Sequence, residues 1–90
     1  MSDSDPLMSE AIACGSMYAQ TLANDVIRDS LTPEQIDRRI NQESSAFGQW
    51  LGTKGFDESQ QSAARAVFQT RVSAEIQMVV FLLETTMGNA

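Results

Sequence analysis

Residues 64–83 read Ala64-Arg-Ala-Val-Phe-Gln-Thr-Arg-Val-Ser-Ala-Glu-Ile-Gln-Met-Val-Val-Phe-Leu-Leu83, and their periodicity decides the fold. Ala64, Phe68, Val72, Ile76, Val79 and Leu83 recur at three- and four-residue spacing, the period of an amphipathic helix and not the alternation of a strand. Toward the end of the stretch the pattern changes. Met78, Val79, Val80, Phe81, Leu82 and Leu83 leave no polar side, and a helix apolar all round is ordinarily surrounded by other structure. Phe81 stands nine residues after Val72, about 180° around the wheel, and so points away from the core stripe.

Outward from this stretch the punctuation is clear. Asp57 is an N-cap and Gly88 a stop, which predicts a helix over 58–87. Upstream, Thr32-Pro33-Glu34-Gln35 combines an N-cap, a proline at the first helical position and a capping-box glutamine. Ile36, Ile40, Phe47, Trp50 and Leu51 then share one face of a helix over 33–51, with Gly52 suited to a left-handed C-cap. Asp5 and Pro6 start a first helix over 6–29. Its stripe is Leu7, Ala11, Cys14, Tyr18, Leu22 and Val26, widened by Met8, Ile12 and Ala19. Gly15 costs about 1 kcal/mol against alanine in a helix and is expected where another helix comes close.

No strand alternation, internal repeat or low-complexity segment interrupts this reading. The expectation is all-α: one domain over 1–90, a small three-helix bundle or a helical hairpin with a long C-terminal helix. That last helix would span roughly 45 Å against roughly 27 Å for the second. Two shorter helices cover it if they lie end to end along it, or a second copy covers the remainder. Homodimerisation is therefore expected.

The chain has 90 residues, 42% of them hydrophobic and 20% charged, enough to fold and too little charge for a disordered segment. It has no histidine and one cysteine. Imidazole catalysis, histidine metal ligands, an internal disulfide and a Cys-x-x-Cys pair are excluded. Twelve acids against six bases give a net charge of −6 and a pI near 4.3. Arg38-Arg39 is the one tight basic pair and Lys54 the one lysine, so direct nucleic-acid binding is not expected. Asp25, Asp29, Glu34, Asp37 and Glu43 are scattered singly, as on a solvated acidic surface. An acidic nucleic-acid mimic that blocks a basic site is the alternative use of that charge. The first five residues are acidic where a signal peptide is basic. The longest apolar run, Met78–Leu83, falls far short of the ~18 residues a span needs. No membrane partner and a cytoplasmic location are expected.

Asp25 and Asp29 lie one helical turn apart, but bundle metal sites add histidine to their carboxylates. They are expected to form an exposed, frayed last turn, and no metal or cofactor is expected. Glu75 falls inside the apolar sector with Arg71 one turn before it. The two are expected to form a structural ion pair, with Arg28, Arg38, Arg39 or Arg65 as further cations, and Glu75→Gln to cost about 1–3 kcal/mol. Gly48-Gln-Trp-Leu-Gly-Thr-Lys54 lacks the spacing and the preceding strand of a phosphate loop. Cys14 reads as an inert apolar residue, and no serine or threonine has a base to activate it. No catalytic residue is expected. The expectation is a non-enzymatic inhibitor, regulator or adaptor of bacterial or phage type that binds another protein. Met78, Phe81, Leu82 and Thr85 are the expected contact row, with Trp50 a second anchor.

Trp50-Leu51-Gly52 also resembles the Trp-x-Gly turn of the small secreted helical-hairpin proteins exported by specialised bacterial secretion systems. The resemblance covers these three residues and the size of the chain. It implies a secreted, dimeric hairpin. The sequence departs from that pattern at Thr32-Pro33, which breaks the first helix of the hairpin, and at Phe81-Leu-Leu-Glu84, which stands where a Tyr-x-x-x-acid signal belongs.

Overall fold

The computed structural model describes residues 6–88, with side chains through residue 85, and the expected Asp5 cap lies outside that range. Among the described residues there are three helices: α1 (Pro6–Asp29), α2 (Pro33–Thr53) and α3 (Glu58–Gly88). No strand occurs among the described residues.

Helix starts follow local chemistry. Thr32 Oγ1 accepts from Gln35 N–H at 3.2 Å, while Gln35 Oε1 accepts from Thr32 N–H at 2.8 Å, which closes the capping box. Asp57 does the same with Gln60, at 2.8 and 3.0 Å. The end of α2 differs from the expectation. Gly52 stays inside the helix, α2 runs on to Thr53, and Gly55 takes the left-handed conformation at φ 95°. Gly55 N–H donates to Gly52 C=O and Phe56 N–H to Leu51 C=O, the paired bonds of a Schellman motif. These bonds need glycine one residue past the cap residue, Lys54, and Gly55 supplies it. In the α1–α2 turn the left-handed residue is Ser30, at φ 54°.

The helices do not lie end to end. α1 and α2 both pack along α3 and meet each other only slightly. Leu7 and Met8 sit beside Ser59, Gln60 and Ala63, while Val26 and Ile27 reach Ile76 and Val80. α1 therefore runs parallel to α3 and α2 antiparallel to both. At 1.5 Å per residue, α3 is about 46 Å long against about 36 Å for α1, and its last turns extend past both companions.

The core joins Leu7, Ala11, Ala19, Leu22 and Val26 with Ile36, Ile40, Phe47 and Leu51, all around Ala64, Phe68, Val72 and Ile76. The inner face of α1 is rotated from the expected stripe: Gly15 is buried where Cys14 and Tyr18 are half-buried and Ile12 is exposed. Gly15 lets α3 in. A Cβ there would stand 3.1 Å from Arg71 Cβ and 3.2 Å from the Phe68 carbonyl oxygen. Gly48 performs the same service on α2, where the Arg65 side chain crosses it. Val79 and Leu83, expected in the core, are only half-buried, because α1 and α2 run out beside them.

Candidate functional site

The end of the bundle where α3 outruns its companions carries a ridge and a groove. Met78, Phe81 and Leu82 form the ridge and are 65%, 64% and 55% exposed, with Thr85 also exposed beyond them. The groove lies beside it, between the α1–α2 turn and α3, and has a volume of about 830 Å³. Its apolar walls are Ile27, Leu31 and Ile36 on one side and Ile76, Val80 and Leu83 on the other, with Phe81 on the rim. Leu31 and Ile36 occupy the two positions of a hydrophobic staple around the Thr32 cap. That pattern was a sequence signal for the groove wall, and the periodicity argument passed over it.

The groove continues along the α2–α3 seam into a polar cleft of about 510 Å³, lined by Asn41, Gln69, Thr70, Ser73 and Ala74. Asp37 and Gln77 belong to both hollows and join them. Asp37 and Glu84 are the charged groups of the channel, and no cation lines it.

Trp50 is not part of this end. It lies in the last turn of α2, one residue from Leu51 and two from Gly52, which packs beside Gln61, some 20 residues and about 30 Å along α3 from Phe81. Trp50 is 44% exposed, stacks on Phe47 at 6.1 Å and carries Lys54 over its ring at 5.5 Å. The Trp-Leu-Gly segment is thus helical, and the α2–α3 turn comes after it.

Gln69 Nε2 donates to Asn41 Oδ1 at 3.1 Å between α3 and α2, and two ion-pair networks also tie the helices together. Arg71 Nε stands 2.7 Å from Glu75 Oε2 and donates to Ser16 Oγ at 2.9 Å, while Ser16 Oγ donates to Glu75 at 2.9 Å. The pair thereby links α3 to α1 through a serine, and none of the other arginines takes part. Glu75 keeps 34% of its side chain in water, more than its place on the wheel suggests. Glu75→Gln is accordingly expected to cost about 0.5–1 kcal/mol, the scale of a half-exposed pair, as read by urea denaturation. A loss above about 2 kcal/mol would place this carboxylate in the core.

Asp25 departs further from expectation. It is not frayed: its side chain is 16% exposed and held by Arg39 at 2.6 Å and Arg28 at 2.7 Å. Arg39 Nε also donates to Tyr18 Oη at 3.3 Å, which joins α2 to α1. The hydrogen bond from Arg39, helped by the charges of Arg28 and Arg39, holds the Asp25 carboxyl below the usual aspartate range. Its stabilising effect is present above that range and is lost as the pH falls through the lowered value. Asp29 pairs with Arg28 at 3.3 Å and remains exposed.

Cys14 is half-buried, and its thiol donates to Glu10 at 3.5 Å; burial first, then that carboxylate, pushes its pKa up. A raised pKa disfavours the nucleophilic thiolate. Among the described residues no group of three or more metal-ligating side chains comes together. By length and composition alone, Glu58–Thr85 reaches a mean hydropathy of 1.3 over 18 residues, enough to cross a bilayer, a property that counting unbroken apolar runs missed. Only 17% of that window is buried inside the bundle, on the face where α1 and α2 pack. No family model, no curated protein and no solved structure matches the chain.

Proposed function

We propose that this chain is a small non-enzymatic helical protein that acts by binding another protein through the apolar end of its bundle. We further propose that in the free protein a second copy covers the ridge. The observation that carries the reading is the gathering of exposed apolar side chains: among the described residues Ile27, Met78, Phe81 and Leu82 sit at this one end, while Ile12, Met17 and Trp50 lie singly elsewhere. Contiguous exposed apolar surface of this kind marks interaction sites, and an aromatic beside methionine is a common anchor. An inhibitor, regulator or adaptor role is the reading that an exposed apolar surface of this kind supports.

Light scattering coupled to size exclusion tests the self-association. At micromolar concentration the expected mass is about twice that of the 9.9 kDa chain. A monomer at every concentration overturns the dimer.

A further inference from the structure

The channel beside the ridge has a shape, a length and a charge that together describe its occupant. From Gln69 to Glu84 it follows α3 for 15 residues, about 22 Å or four helical turns. One half is walled by aliphatic side chains and the other by amides and hydroxyls. Asp37 stands at the junction and Glu84 at the apolar end, about 10 Å farther along. Both carboxylates are exposed, and neither has a hydrogen bond or ion pair among the described residues. A groove of this kind is filled by an amphipathic helix whose apolar face inserts while its flanks meet the rim.

We propose that the channel along the α2–α3 seam receives a basic amphipathic helix of the partner protein. This rests on the reading of the chain as a protein-binding module and names the chemistry of its partner. The bound helix is about four turns long. Its apolar side chains fill the space between Leu31 and Val80, and a Lys or Arg meets each of Asp37 and Glu84, about seven residues apart on the ligand. Charge argues against a second copy as the occupant of the channel. A second copy of this chain has a net charge of −6 and brings the same carboxylates to a channel that holds no cation. Opposite charge at the rim favours encounter with a basic partner and disfavours acidic ones.

The test uses two labelled synthetic helices of about 16 residues with the same leucine stripe, one with two lysines about seven residues apart and the other with glutamates in their place. Fluorescence anisotropy on the full chain should show the lysine helix binding at least about tenfold tighter than its twin, with the difference shrinking as salt is raised. Asp37→Lys combined with Glu84→Lys, at two exposed positions, should remove or reverse that preference while circular dichroism stays unchanged. Equal affinity for the two helices, or binding of neither, overturns the proposal. So does tighter self-association of the double variant without peptide binding, which would make the occupant a second copy. Capture of the protein by phosphatidylcholine vesicles in place of the lysine helix would make it lipid and overturn the proposal equally. If the lysine helix fails while Phe81→Ser still disrupts association, the channel assignment falls and the protein-binding reading stands. If both fail, both fall.

Discussion

Phe68→Ala should cost about 3–5 kcal/mol, a large loss for a chain of this size. Phe68 is 2% exposed and lies between the ring of Tyr18 on α1, at 6.2 Å, and that of Phe47 on α2, at 5.0 Å. Among the described residues it is the one side chain that stacks on both companions of α3. Its removal takes away transfer energy, leaves a cavity and separates two aromatic pairs together. A chain of this length has a total stability of roughly 5–13 kcal/mol, so the variant should be largely unfolded at modest urea concentration. Urea titration followed by circular dichroism checks it, with Phe68→Leu expected to recover more than half of the loss. A cost below about 2 kcal/mol for alanine would mean that α1 and α2 collapse into the void.

Phe81→Ser should have the opposite profile. Phe81 is turned from the buried stripe and mostly exposed, so helical content and urea midpoint should stay within about 0.5 kcal/mol of the parent. Association through the ridge should weaken by about 2 kcal/mol or more, roughly 30-fold in Kd. Sedimentation equilibrium across a concentration series measures it. If the variant unfolds as a monomer, Phe81 belongs to the intrachain core. If the association constant is unchanged, the interface lies elsewhere, and the exposed Trp50 at the far end of α2 is the next surface to alter.

The helices and most of the core were legible in the sequence because they depend on local pattern. Thr32 with Gln35, Pro33, and the spacing of Ile36, Ile40, Phe47 and Leu51 are read from neighbours a few residues apart. What escaped depends on contacts between distant residues. Periodicity counts large apolar side chains, whereas the inner faces of α1 and α2 are partly lined by Gly15, Ser44 and Gly48, all buried. A small residue signals close approach only after the approaching helix is known. For the same reason the wheel placed Cys14 and Ile12 too deep and Glu75 in the core. Asp25 looked idle because its main partner, Arg39, lies 14 residues away across the turn. The ridge was visible because its signal, an apolar run without a polar side, is continuous in sequence. The groove was not, because Ile27 and Leu31 join Val80 and Leu83 only through the parallel course of α1 and α3.

That parallel course also bears on how the chain is made. α3 leaves the ribosome after α1 and α2, yet both depend on it for nearly all their burial. Before it emerges, the first two helices share little more than the Asp25–Arg39–Tyr18 network at their turn. Pairings such as Ser16 with Glu75 reach across 59 residues, and closing so large a loop delays folding relative to a bundle of sequential hairpins. The nascent chain therefore gains its structure only once α3 has been made, and the segment that completes the core is followed at once by the exposed apolar turns of Met78, Phe81 and Leu82.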